Sequence, residues 1–494
     1  MRRWRALPAF ALCLSCGLQA QQRNWNWYLP GGDQFDFSGG VPSLATGLPL
    51  ATSAILTSVA PMSDAQGIPL FYAHRDGVRD ATYQVMPNSP DPDSIPFTYY
   101  SQSLIALPYP GQSDLYVVCY TGVIPNTSTT KAMTLVVDMS LNGGLGDVVP
   151  GSFQLLADST TAHVTAVPDE ENGYWILLHR FNSDEFLVHQ LTSNGIDPIP
   201  TISSTGPVLL ATDPVNTTNS LYLSGTLVAN LEGEQLAMTA SPGGLFSDLI
   251  ALLGLYRFDR NTGSIQFQHG LPVGNVAHGV EFSPDGSRLY LVEEQATDSV
   301  PMNLVQFTIS GNDSLSIAST RYVVSTAPLS GAVGSVLHNV VLCPEGKIRL
   351  RSHRDQNSDL TLMDVIHKPD SAGAACQFQL NEFTTSLGSR ALPNFCKRYH
   401  DSEPAWLSVP ERDGSSFALW PNPSDGKVHV TVDAAGSGTR LSVVDVIGRL
   451  VHSPVPVQGM TSTIDMQGQA PGLYFMRVQD RSGSVHAKPF VLTK

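Results

Sequence analysis

Three histidines share a context that could carry chemistry. "HGVEFSPDGSRLYLVEE" runs from His278, and "HNVVLCPEGKIRLRSH" runs from His338. Both read His-x-Val-x-x-x-Pro-acid-Gly, followed by alternating apolar residues. His163, opening "HVTAVPDEENG", fits the same pattern loosely. If the chain brought three such imidazoles to one point, they could bind a divalent metal or polarise a substrate carbonyl. The competing reading is architectural: each ring bonds across to a neighbouring unit and closes a backbone gap. Repetition alone explains the recurrence, and a metal site also needs partners at fixed distances. The residues therefore favour the architectural role. His179 and His189 fall one strand further out and read as packing or solvated groups.

Other chemistry is thinly represented, and the sequence assigns no catalytic residue and no metal ligand. There is no G-x-S-x-G elbow, no H-E-x-x-H, no P-loop and no G-x-G-x-x-G after a strand. The acidic runs "DEEN" (169–172) and "SPDPDS" (89–94) could hold calcium through oxygen ligands, but neither has an EF-hand loop, and motif grounds favour solvated turns. Trp25, Trp27 and Tyr28 could form a sugar-binding platform, although a buried strand is the better use of such aromatics. Four cysteines lie beyond residue 20: Cys119, Cys343, Cys376 and Cys396. They allow three pairings and have no zinc spacing. Cys376–Cys396 closes the shortest loop and is the favoured bridge, with free buried thiols as the alternative.

The elements that must position these residues are repeated hairpins. Six segments share a Gly/Asx/Pro turn followed by an alternating strand: 63–74, 108–120, 168–180, 231–241, 283–294 and 343–353. Four of them are followed by a strand that ends in a polar turn, at 135–147, 187–197, 255–267 and 304–316. No stretch sustains a 3.6-residue apolar period. Four-stranded antiparallel units at about 45–62-residue spacing predict an all-β chain built as a six- or seven-bladed β-propeller. An array of immunoglobulin-like sandwiches would need a linker roughly every 100 residues, and none is visible before about residue 398. Six blades are legible in 52–370. The strand-like pieces at 24–40 and 376–395 are expected to share one blade and close the ring.

Composition agrees with a turn-rich β protein. The chain has 494 residues with 42 Gly and 35 Pro, and only 14% are charged, against about 25% for an ordinary domain. Residues 1–20 look like a signal peptide: Arg2, Arg3 and Arg5 precede a short apolar stretch, with cleavage expected after Ala20. The remainder holds 25 basic and 43 acidic side chains, a charge that repels phosphate backbones and argues against nucleic acid as a partner. No apolar run reaches the roughly 20 residues of a membrane-spanning helix. The propeller is expected over 21–397 and a Pro-containing linker over 398–416. From residue 417 the charge changes sign. The region 21–416 holds 18 basic and 38 acidic side chains, whereas 417–494 holds 7 and 5, which marks a separate small β-sandwich.

That last segment resembles the type A C-terminal sorting domain of the type IX secretion system. The matching residues are Pro421, Asn422, Pro423, Gly426, Asp445, Gly448, Gly472, Leu473, Tyr474 and Lys488. The resemblance implies passage through the inner membrane by the signal peptide. It then implies translocation across the outer membrane of a Bacteroidetes-type cell by the type IX machinery, and surface attachment or release. The segments "NWNWYLPGGDQFDFSGGVP", "SDAQGIPLFY", "YQVMPNS", "LNGGLGDV" and "ALPNF" also resemble, in order, extracellular propeller-like proteins of Bacteroidetes. Tyr28-Leu29-Pro30 departs from the Phe-Gly usual at that place. Two function classes follow. One is a non-enzymatic binding or adhesion module for a surface glycan or protein. The other is a propeller hydrolase or lactonase-like enzyme with a metal at the channel mouth. A filled axis would favour the first, and a deep polar pocket reached by His163, His278 and His338 would favour the second.

Overall fold

A computed structural model describes residues 22–493 apart from 30–31, 40–41, 50–57, 97–101, 126–129, 211–223, 242–250, 275, 295–302, 312, 327–338, 353–360, 386–391, 400–416, 433–438, 446–448, 458–460 and 480–484. The signal peptide, His338, Gly448 and most of the expected linker lie outside the described residues. The chain divides into two compact units, one spanning Ala20–Glu403 and one containing Pro404–Lys494.

The first unit is a β-propeller. Seven antiparallel sheets follow one another among its described residues. Their first strands are Asn26–Leu29, Ala60–Ser63, Leu104–Pro108, Thr160–Pro168, Ser224–Ala229, Val276–Phe282 and Val340–Leu342. The fourth sheet shows the plan: Thr160–Pro168 pairs with Tyr174–Arg180, which pairs with Ser183–Thr192, which carries Gly195–Ile196 and Thr201–Leu209 on its outer edge. All nine residues of Thr160–Pro168 are buried. Both faces of a blade are covered by neighbouring blades, so its strands lack the polar face of a one-sided sheet.

All six turn-then-strand segments form the hairpin between the first and second strands of a blade. In the "SPDG" and "CPEG" turns, Gly286 and Gly346 have φ of 68° and 75°, a conformation that disfavours a side chain. The hairpin Asn26–Leu29/Asp33–Asp36 supplies a seventh blade. One outer piece departs from strand: Ser314–Ala318 is a short helix, started by an Asp313 capping box.

Apolar layers lie between the blades and run around the whole ring. Tyr28 of the first blade stacks on Tyr72 of the second at 4.9 Å. Larger clusters join the second to the fourth blades, the fourth to the fifth, the fifth to the sixth and the sixth to the seventh. The circle is completed by Trp27, Leu29, Phe35 and Phe37 packing with Val341, Cys343 and Met363. The fully buried Arg349 reinforces that seam. Its guanidinium lies 5.3 Å from the Phe383 ring and 5.9 Å from that of Phe37, and it pairs with Glu345 and Glu382. The expected closure by shared strands is thus corrected. Phe378–Thr385 is the outer strand of the seventh blade, Asn26–Ala45 makes a sheet of its own, and side-chain packing joins the two.

The second unit is a β-sandwich. Phe417–Trp420, Lys427–Val432 and Thr461–Asp465 form one sheet. Leu450–Pro456, Arg440–Asp445, Gly472–Gln479 and Val485–Leu492 form the other. Alternate residues face inward: Val428, Val430 and Ile464 from the first sheet meet Leu441, Val443, Met476, Val478 and Phe490 from the second.

Candidate functional site

The propeller axis is occupied by the chain itself. Residues 392–399 have no regular secondary structure, and Leu392–Cys396 are buried. The Phe395 ring lies 5.8 Å from that of Trp27 in the first blade. The Asn394 N–H donates to Val59 O beside the second blade, at 3.1 Å. Its side-chain amide donates to Leu104 O of the third blade at 2.9 Å and to Val164 O of the fourth at 3.0 Å. The single S–H of Cys396 is directed to Arg398 O at 2.7 Å, and its Sγ lies 3.4 Å from Ala166 O. Lys397 pairs with Glu281 of the sixth blade. Leu392 and Phe395 pack against Val341 and Cys343 of the seventh. Only a segment on the axis can touch the inner strands of so many blades. Tyr399 remains within the ring, with its ring centroid 6.4 Å from that of Tyr174.

His163 lies in the fourth blade's inner strand, fully buried, with both ring nitrogens engaged. Nε2 is 2.7 Å from Thr239 O in the fifth blade, and Nδ1 is 2.9 Å from Thr161 Oγ1. A carbonyl can only accept, so Nε2–H donates, and Nδ1 accepts from the threonine hydroxyl. Burial pushes the ring down to about 4, with the bond to Thr239 opposing in part. The ring is therefore neutral and has no lone pair left for a metal. It fills the space beside Gly225, where a Cβ would come within 2.4 Å of Nε2.

The structure also defines how His163 relates to His278. Counted back from the hairpin, His163 is one residue out of step with His278. Counted from the preceding blade, the two coincide: Thr121 Oγ1 donates to Ala162 O at 2.9 Å, and Ser241 Oγ donates to Ala277 O. Each histidine follows the alanine so held. Ladder irregularities between Thr160 and Val164 and between Ala277 and Val280 absorb the difference. His278 is placed by its backbone in Val276–Phe282. His179 and His189 are buried packing groups, bonded through Nδ1 to Arg180 O and Asp197 O at 2.8 and 2.9 Å. Burial lowers both, His179 to about 3.

The remaining candidates have structural roles. Trp27 and Tyr28 are buried in the first blade's inner strand, so they form no exposed platform. In "DEEN", Asp169 Oδ1 accepts from the N–H groups of Glu171 and Gly173 at 2.8 and 2.6 Å, and Oδ2 accepts from Gln190 at 2.9 Å. In "SPDPDS", Asp91 caps a short 3-10 turn. Among the described residues, no group of three or more His, Cys, Asp or Glu is arranged to hold a metal. The favoured Cys376–Cys396 bridge is corrected: all four cysteines are free and buried. Cys376 packs between the sixth and seventh blades, whereas Cys396 packs on the axis against the second to fourth. A groove of about 400 Å³ lies between the outer strands of the third and fourth blades, bounded by Leu156, Asp158, Arg180, Pro198 and Pro200.

In the sandwich, the motif residues make specific local contacts. Asn422 Oδ1 accepts from Val491 N–H at 2.9 Å, fixing the segment of Pro421 and Pro423 to the last strand. Gly426 has φ of 136°, and a Cβ there would be 3.0 Å from Gln467 Cγ. Asp445 exchanges bonds with Arg449 across its turn: its N–H donates to Arg449 O at 3.0 Å, and its Oδ1 accepts from Arg449 N–H at 2.9 Å. Tyr474, two residues into the strand opened by Gly472, donates to Ala470 O at 2.7 Å. Lys488 Nζ lies 5.5 Å from the centre of the Phe417 ring, joining the last strand to the first.

Residues 418–492 match the family described as the secretion system C-terminal sorting domain. That match indicates delivery by the type IX system to the cell surface or the extracellular space. No curated protein matches the chain. Among solved structures, the chain is similar to the periplasmic gluconolactonase of Pseudomonas aeruginosa, at 14% identity and TM-score 0.35, over 83% of this chain and 99% of that one. It is also similar to a functionally unknown protein from Desulfotomaculum acetoxidans, at 12% identity and TM-score 0.37, over 73% and 95%. TolB from Acinetobacter baumannii aligns at 10% identity and TM-score 0.32, over 73% and 77%. Likeness this remote carries no argument about activity.

Proposed function

We propose that the protein is a non-enzymatic binding or adhesion module. In this reading, a signal peptide and the type IX machinery deliver it to the cell surface or beyond, and the propeller's peripheral loops and grooves meet a surface glycan or protein. The observation that carries the reading is the filled axis. Residues 392–399 occupy the place where a channel-mouth active site would bind its substrate, and His163 spends both ring nitrogens on its neighbours. The peripheral groove between the third and fourth blades offers concave surface away from the axis.

A glycan and surface-polymer binding screen on the full-length protein tests the ligand class. Saturable binding that survives Lys397→Ala, whose side chain reaches only the axis, is the expected result. Turnover of a lactone or ester, without saturable binding, would contradict it. Export is tested by a stop codon after Ser416. The truncated chain should remain inside the cell envelope, and equal surface display of both forms would contradict the assigned route.

A further inference from the structure

The first strand of each blade has a ladder partner on one side only. Its other edge faces the axis, so alternate carbonyls there need donors from outside the sheet. In this protein neighbouring blades supply some of them, Thr121 Oγ1 to Ala162 O and Ser241 Oγ to Ala277 O, and residues 392–399 supply others. Val59 O, Leu104 O and Val164 O accept from the Asn394 backbone N–H and the Asn394 side-chain amide. One carboxylate stands among these acceptors. Glu281 is fully buried, and its oxygens accept from Phe282 N–H at 3.0 Å and from Leu342 N–H at 2.9 Å. Its charge is met by Lys397. Apolar walls complete the surface: Trp27 with Val341 and Cys343 receive Phe395, and Tyr174 receives Tyr399.

We propose that the central channel is a peptide-recognition site that reads a segment with donor side chains at the spacing of Asn394 and Lys397, filled in cis by residues 392–399. The segment pairs with no strand, so register in a sheet does not define its position. Directional bonds to separate blades define it instead. It also ties Glu281 of the sixth blade, already bonded to Leu342 N–H of the seventh, to the carbonyls of the third and fourth. The ring is thereby held shut from within, and the occupant is an element that can be exchanged for another copy of the same peptide.

The test uses the full chain with a protease-recognition sequence placed between residues 386 and 391. After cutting, the two fragments should co-elute on gel filtration under native conditions. Excess synthetic peptide covering 391–400 should displace the C-terminal fragment. The same peptide carrying Asn394→Leu and Lys397→Glu should bind more than about a hundredfold more weakly, because it leaves a buried charge and buried carbonyls unpaired. Separation of the fragments on cutting with an unchanged ring melting temperature would overturn the proposal, as would displacement by the altered peptide at equal concentration. A charge swap guards against misfolding of single variants. In the uncut chain, Lys397→Glu should lower the melting temperature, and adding Glu281→Lys should restore part of the loss. No change in the single variant would overturn the recognition by Glu281.

Discussion

The ring and the sandwich solve the same problem in different ways. Each must join the beginning of its fold to the end. The sandwich does so with contacts between its first and last segments: Asn422 to Val491, which is exposed, and Lys488 over Phe417. The ring uses buried, long-range groups: Arg349 at the seam of the first and seventh blades, and Asn394 and Lys397 on the axis. Closure within one small domain keeps its residues in a compact set of motifs. Closure spread over nearly four hundred residues leaves no such motif.

The comparison can be broken at several depths. The largest effect is expected at the seam. Arg349→Met removes a fully buried cation, leaving Glu382 without its partner and Glu345 with Lys347 alone, and should cost about 3–5 kcal/mol in urea denaturation of the ring. A loss no larger than that of a surface substitution would show that the seam is held by the aromatic rings alone.

Acid should act next. His163 is held at about 4 in the folded ring, against about 6.5 when unfolded. The unfolded state therefore binds the proton first, and stability falls as pH drops from about 6.5 to about 4, by on the order of 3 kcal/mol for this group. Above about 6.5 this contribution is complete. The His163→Leu variant should start less stable and show a flatter pH profile. An equally steep profile in the variant would assign the acid loss to other groups, of which His179, held at about 3, is the first to test.

Gly225→Ala should follow. A Cβ there would stand 1.9 Å from Thr239 O and 2.4 Å from His163 Nε2, and relieving that overlap should cost about 1–3 kcal/mol. A neutral result would mean that the Thr239 backbone and His163 both shift without loss, against the close fit of the two blades at this point. The smallest effect belongs to the sandwich. Lys488→Met removes the cation over Phe417 and should cost about 0.5–1 kcal/mol, read as a small shift in the sandwich's unfolding with the ring unaffected.

The same contrast explains what could be read from the sequence. The six hairpins were legible because a Gly/Asx/Pro turn reverses the chain locally, and alternation marks the strands that follow. The sorting domain was legible because its short motifs sit at its turns and ends. The hairpin around 30–33 also has a Pro-Gly-Gly-Asp sequence, but only one such turn falls in 24–40, so it announced strands for a shared blade and no blade of its own. The axial segment was visible only as "ALPNF", since nothing in a local pattern says that Asn394 will meet Leu104 and Val164. Glu281 gave no signal beyond one acid in an apolar strand. For His163 and His278 the common position is set by Ala162 and Ala277, which only the inter-blade bonds reveal, and not by the count from the hairpin. The Cys376–Cys396 pairing followed loop length, whereas the ring places the two thiols in separate apolar layers.

The account turns on an axis filled by peptide, with no metal at its mouth. The most direct measurement is the metal content of the purified full-length protein, prepared without chelator, by mass spectrometry. The account predicts no stoichiometric calcium or transition metal, and no difference between the wild type and His278→Ala. A full equivalent of metal, lost in the His278→Ala and His338→Ala variants, would contradict it and return the channel mouth to enzymology.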